Sequence, residues 1–142
     1  MSSFQMTTVA SNQADETLWS LLSLSVGNPT KEKMQAIRLQ YADESKRGIV
    51  AIRDADEYVG CLGYEFTDCL VEIMNIAVLP SHERNGIGRQ LVEAMATLFP
   101  GRPIEAETDG EAVGFYKATG FSVTPCDRRP QYPNRWTCRR VA

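Results

Sequence analysis

The chain has 142 residues, about the modal size of one domain, and its 43% apolar and 23% charged residues argue against disorder and against a second catalytic domain. A formal charge of −3 provides no cationic footprint for a polyanion, so nucleic acid is not expected as a partner. The start, "MSSFQMTTVASNQADE", has no basic stretch leading into an apolar one, and no apolar run reaches membrane-spanning length; a cytoplasmic protein without a membrane partner is expected.

In chain order, "FQMTTVA" reads as a first strand. "NQADETLWSLLSLSV" reads as a helix with Asn12 as N-cap and Leu18, Leu21, Leu22 and Ser25 on one face. Gly27-Asn28-Pro29 breaks it, and "TKEKMQAIRLQYADES" restarts a helix whose apolar side carries Met34, Ile37 and Tyr41. "GIVAIRD" and "EYVGCLGYEF" form a hairpin across Asp54 to Asp56, and "CLVEIMNIAVLP" is a longer third strand after the turn at Thr67-Asp68. From Gly86 a helix runs to about Phe99, where Pro100-Gly101 ends it. "PIEAET" is a short strand, "GEAVGFYKATG" a short helix capped by Gly120, and "FSVTP" and "RWTCRRV" close as strands. With no repeat, low-complexity segment or linker, residues 1–142 read as one α/β domain.

Cys61, Cys69, Cys126 and Cys138 are separated by 8, 57 and 12 positions, and His82 is the one histidine. Zinc ligands come in closely spaced Cys or His pairs, so no metal site is expected. Cys61 and Cys69 could face each other across a hairpin, so a disulfide and buried or half-buried free thiols both stay open.

The most informative stretch is "NIAVLPSHERNGIGRQLVEAM", residues 75 to 95, where a strand-like run passes through a glycine-bearing loop into a helix. The first turn of such a helix presents N–H groups without internal partners, and the macrodipole adds partial positive charge. Such an end can bind phosphate, or it can be a tight turn that binds nothing. Gly86 and Gly88 would let backbone approach an anion, and Arg84 and Arg89 would add charge-assisted hydrogen bonds. The Walker pattern is absent, and Leu91 stands where the dinucleotide fingerprint needs its third glycine.

Two signatures stand in order on this chain. A strand ending in Val78-Leu79-Pro80 is followed by Glu83-Arg84-Asn85-Gly86-Ile87-Gly88, and Asp109, Ala112, Tyr116, Gly120 and Phe121 follow later. Over roughly residues 46 to 125 the sequence resembles the GNAT superfamily of acyl-CoA-dependent N-acetyltransferases, whose motifs are Q/R-x-x-G-x-G/A after V-x-P and an Asn followed by A-x-x-x-Y-x-x-x-G-F. Glu83 stands at the usual Gln or Arg, with arginine displaced to Arg84, and Asp109 stands at the usual Asn.

The resemblance implies a single-domain α/β GNAT fold, with a mixed, mostly antiparallel central sheet flanked by about four helices. It implies acetyl-CoA as co-substrate, no metal, and direct attack of an amine on the bound thioester in a ternary complex. The amides of Glu83, Arg84, Asn85, Gly86, Ile87, Gly88 and Arg89 would meet the pyrophosphate, and Asp109 would line the cofactor site. Backbone of Ile76, Ala77 and Val78 would meet the thioester carbonyl, and Tyr116 would protonate the departing thiolate; the competing role for Tyr116 is packing beside Phe115.

An alkylammonium of pKa about 10.4 is some three units too protonated at neutral pH, worth roughly 4 to 5 kcal/mol, so transfer to it needs a base. Glu72 sits inside the apolar run "LVEIMNIAV" and by alternation shares a face with Met74 and Ile76. It is either that base, as in histone-type family members, or a solvent-facing strand residue. His82 is expected to be exposed and not catalytic, and Arg128, Arg129 and Arg135 to form a solvated basic turn or to recognise an acidic acceptor group. The acceptor itself, a small-molecule or peptide amine, stays open, as does the choice between monomer and homodimer. The competing function is an acyl-CoA-binding or regulatory domain of the same fold that does not catalyse.

Overall fold

The structure, a computed structural model, describes residues 4–126 and 134–141. Seven strands form one sheet: β1 (Phe4–Val9), β2 (Arg47–Asp54), β3 (Glu57–Phe66), β4 (Val71–Val78), β5 (Ile104–Asp109), β6 (Ser122–Pro125) and β7 (Arg135–Arg140). Their order across the sheet is β1-β2-β3-β4-β5-β7-β6. Every pairing is antiparallel except β4 with β5, so the sheet is mixed and mostly antiparallel, as the sequence led us to expect.

Four α-helices lie among the described residues: α1 (Glu16–Ser23), α2 (Lys31–Tyr41), α3 (Ile87–Leu98) and α4 (Val113–Ala118). α1 begins later than expected. Asn12 falls in a 3-10 turn, Ser11–Gln13, and the cap is Asp15, whose Oδ1 accepts from the Leu18 amide at 3.0 Å. An N-cap side chain reaches the amide three residues on, and Asn12 stands too early for that. Thr30 caps α2 in the same way, accepting from Lys33 N–H at 3.1 Å. Leu18, Leu21 and Leu22 are buried as their spacing demanded, while Ser25 lies beyond the helix end.

Alternation along the central strands sends side chains to two cores. On one face Val50, Ile52, Leu62, Tyr64, Val71 and Ile73 pack against α3 and α4 through Ile87, Leu91, Val92, Met95 and Tyr116. On the other face Ile49, Ala51, Cys61 and Ala77 pack against α1 and α2 through Leu18, Trp19, Leu22 and Tyr41. One register shift breaks the alternation. Gly63 pairs with Asn75 and Tyr64 with Ile73, which leaves Met74 as an extra residue on β4.

That bulge corrects the face assigned to Glu72. Glu72 lies between Val71 and Ile73, which both belong to the α3 core, so it points towards the α1 and α2 side. Ile76 packs against the α3 core, so the two residues lie on opposite faces and not on one. The cause is the extra residue, which inverts the phase of everything after it.

Cys61 pairs with Ala77 in the hairpin ladder and not with Cys69, which stands exposed in the turn before β4. All four cysteines are free; Cys61, Cys126 and Cys138 are buried. Burial pushes the Cys61 thiol up to about 12 and also raises that of Cys138. Because the thiolate is the nucleophile, a raised pKa and burial both slow reaction. Titration of the native protein with a chromogenic disulfide should therefore show one fast thiol, lost in Cys69→Ser, with the others reacting only on denaturation. Leu91→Ala, at a fully buried position, should lower the unfolding free energy by about 3 kcal/mol in urea titrations.

Candidate active site

β4 and β5 pair over three residues only, Val71 to Ile73 against Ile104 to Ala106. Beyond that point β5 continues paired with β7 up to Asp109, while β4 continues paired with β3 up to Val78. Two adjacent parallel strands therefore part and leave a split. Which backbone groups face it follows from the ladder. Leu79 N–H donates to Val59 O at 2.9 Å, on the β3 side. Successive residues of an antiparallel pair alternate in bonding direction, so Ala77 also turns to β3, whereas Ile76 and Val78 turn their N–H and C=O towards the split.

At the end of β4 the chain passes through a 3-10 turn, Pro80–His82, and a loop in which Glu83, Arg84 and Asn85 are exposed. Gly86 is the N-cap of α3 with φ +74, a left-handed conformation that costs a residue with Cβ about 1–2 kcal/mol. No side chain caps this helix, and a Cβ at Gly86 would meet nothing within 4 Å. The first amides of α3 thus open onto free space, a donor set suited to an anion. Gly88 is small for another reason. A Cβ there would lie 2.8 Å from Phe115 Cε1, so its absence lets α4 pack against α3. Arg89 donates Nη2 to Ala118 O at 2.8 Å, at the carboxyl end of α4, while Arg84 makes no hydrogen bond or ion pair among the described residues.

Glu72 is half-buried on β4 in a row of charged residues that crosses the sheet. Register pairs Arg47 with Glu65, Glu65 with Glu72, Glu72 with Glu105, and Glu105 with Arg139. Arg47 Nη2 lies 2.9 Å from Glu65 Oε2, and Arg139 pairs with Glu105. The two outer carboxylates are thereby compensated from the flanks. Glu72 holds the centre of the row, beside the residues where β4 and β5 separate.

Tyr116 lies on α4, only 4% exposed, with its ring edge-on to those of Phe115 and Phe121. Burial, with a smaller contribution from Cys138, holds its phenol well above the ordinary value, so it stays protonated. α4 has six residues, too few to stand alone, and both its ends are held. Asp109 Oδ1 accepts from the amides of Glu111 and Ala112 at 3.1 and 3.0 Å. At the other end Arg89 meets Ala118 O, and Arg140 Nη1 donates to Thr119 O at 3.3 Å while also pairing with Glu93.

His82 is not the exposed residue expected. Its Nε2 lies 3.3 Å from Asp54 Oδ2, Ser81 Oγ lies 2.8 Å from its Nδ1, and its ring meets Phe4 edge-on. The loop is in this way fastened to the end of β2. Arg135 pairs with Glu107 at 3.3 Å, while Arg128 and Arg129 lie outside the described residues. Among the described residues, no group of three or more His, Cys, Asp or Glu side chains is arranged to hold a metal, and no helix is long and apolar enough to cross a membrane.

Sequence reasoning missed one group beside the split. Tyr41 Oη donates to Asn75 Oδ1 at 2.7 Å, and Asn75 Nδ2 donates to Ser25 Oγ at 3.0 Å. The available signal was a glycine, Gly63, inside a strand of bulky residues, which marks close approach of another group.

A sequence model of the Acetyltransferase (GNAT) family matches residues 15–121. The peptidyl-lysine N-acetyltransferase YjaB of Salmonella typhimurium is 42% identical over 78 residues, which are 53% of this chain and 50% of that protein. An acetyltransferase from Thermus thermophilus superposes with a TM-score of 0.77 over 99% of this chain and 97% of its own, at 19% identity. A GNAT family acetyltransferase from Elizabethkingia anophelis, solved with acetyl-CoA bound, gives 0.71 over 99% of each chain at 18% identity. The fold, the split sheet with its uncapped helix end, and a family match running from α1 to Phe121 agree, and the chain belongs to the GNAT acetyltransferase family.

Proposed function

We propose that the protein transfers an acetyl group from acetyl-CoA to a primary amine by direct attack in a ternary complex. The observation that carries this reading is the parting of β4 from β5 next to an uncapped helix end. Together they offer one continuous site, with amides for a pyrophosphate at one end and strand backbone for a thioester carbonyl at the other. Acetyl-CoA supplies an activated acyl carbon and a thiol leaving group.

The chain's residues divide the work as follows. The amides of Gly86, Ile87, Gly88 and Arg89, with the Glu83-Arg84-Asn85 loop, bind the pyrophosphate, and the exposed Arg84 adds positive charge. Ile76 N–H faces the split and donates to the carbonyl oxygen where negative charge develops. Val78 and Ala77 complete that strand segment. Glu72 takes a proton from the ammonium, directly or through a water, and the neutral amine then attacks the acyl carbon to form the C–N bond. Tyr116 gives its proton to the thiolate as the C–S bond breaks. Asp109 acts indirectly, by holding the turn that sets α4. A primary amine of the lysine type is supported by the named activity of the Salmonella relative and by the carboxylate of Glu72 beside the split.

Glu72→Gln and Tyr116→Phe should each lower thiol release by about a hundred-fold or more with a lysine-bearing peptide, while calorimetry gives coenzyme A affinities within about three-fold of the parent. Undiminished turnover in both would sink the assignment. Pantetheine, which lacks the phosphates, should bind far more weakly than acetyl-CoA; equal binding would remove the loop from the site. Burial raises the Tyr116 pKa, so the proton donor persists above the ordinary phenol value of about 10. The pH profile of turnover should show no alkaline loss near that value, and a fall centred there would mean that the donor's pKa is not raised.

A further inference from the structure

The bulge at Met74 decides which way the Ile76 amide points, and a bulge in a strand with apolar residues on both faces can slide. Closing up the bulge, so that Leu62 met Asn75 and Cys61 met Ile76, would flip Asn75 into the α3 core and turn Ile76 N–H onto β3. Something must fix it. Asn75 is the polar member of the run Ile73 to Val78, and its side chain is satisfied on one face only: it accepts from Tyr41 Oη at 2.7 Å and donates to Ser25 Oγ at 3.0 Å, and Ser25 Oγ in turn donates to Leu22 O at 2.7 Å.

The fit around this chain of bonds is close. Tyr41 is 1% exposed, its ring lies under the Arg47 guanidinium and beside Trp19, and a Cβ at Gly63 would lie 1.8 Å from its Oη. Gly63 is the cross-strand partner of Asn75. The phenol therefore reaches the bulge through the place where the partner residue has no side chain. A slipped register would bury an unsatisfied amide and phenol together.

We infer that Tyr41, acting through Asn75, is a positioning residue for acetyl transfer: it locks the β4 bulge so that Ile76 N–H faces the thioester carbonyl. The inference rests on the function proposed above. Ser25 is the outer anchor, and Gly63 is required for the phenol to reach Asn75.

The test reads the carbonyl itself. Infrared difference spectra of acetyl-CoA carrying 13C at the carbonyl should show, on binding to the parent protein, a stretch moved to lower frequency by hydrogen bonding. In Tyr41→Phe roughly half or more of that displacement should vanish, while coenzyme A affinity stays within about two-fold, because the phosphates are held elsewhere. Gly63→Ala should act like Tyr41→Phe, and Ser25→Ala in the same direction more weakly. Val9→Ala removes packing from the same core without touching Asn75, so it should lower the melting temperature and leave the frequency at the parent's value. Should Tyr41→Phe fail to fold, Ser25→Ala decides the question. A parent-like displacement in Tyr41→Phe, or in Ser25→Ala where that variant decides, overturns the inference and leaves the proposed function intact. A parent protein that binds no acetyl-CoA, or binds it without displacing the frequency, overturns both.

Discussion

β4 must satisfy two ladders that pull it in different directions, and the rest of the molecule is arranged around that conflict. Towards β3 it is paired along its whole length; towards β5 it is paired for three residues and then released. β5 is itself committed to β7 from Ile104 to Asp109, so it follows that strand's twist and cannot follow β4. The bulge bends β4 at the point of release. A row of backbone donors and acceptors that an ordinary sheet would use internally is thereby left for something else.

Glycine and tyrosine are used in complementary pairs to build the neighbourhood. Tyr64 covers Gly48 on the α3 face, with its Oη 2.3 Å from where a Cβ would be, and Tyr41 covers Gly63 on the other face. Each ring fills the gap left by a strand glycine, Tyr64 from the neighbouring strand and Tyr41 from α2, and so repairs the packing that the glycine removes. The two faces then carry different cargo. One is apolar throughout and holds the helix that ends at the loop, while the other mixes an apolar core with the charged row from Arg47 to Arg139.

Much of this was legible from spacing. Helix and strand positions, the break at Gly27 to Pro29, and the burial of Leu18, Leu21, Leu22 and Tyr41 follow from local periodicity and turn chemistry, which short-range forces decide. The family resemblance supplied the fold because its two motifs sit at turns, where backbone geometry restricts the residue. All but one of the misses share a cause in contacts distant along the chain. The bulge depends on Tyr41 meeting Asn75, His82 is drawn in by Asp54, and Arg89 is turned away from the loop by Ala118 O. No window of neighbouring residues contains those pairings. The α1 cap was missed by choosing between two polar residues near one helix start, where only reach to a particular amide separates Asn12 from Asp15.

The six residues of α4 carry Tyr116, yet the helix owes its position to groups on three other elements: a carboxylate on β5 at its amino end and guanidinium groups from α3 and β7 at its carboxyl end. Each charge has the sign that complements the helix dipole. Opposed clamps of this kind set orientation as well as place, because relaxing any one of them lets the short rod pivot about the other two. The orientation of the phenol is therefore a shared property of α3, β5 and β7. Variation at Arg89 or Arg140, on α3 and β7, is felt at Tyr116 as a rotation of α4.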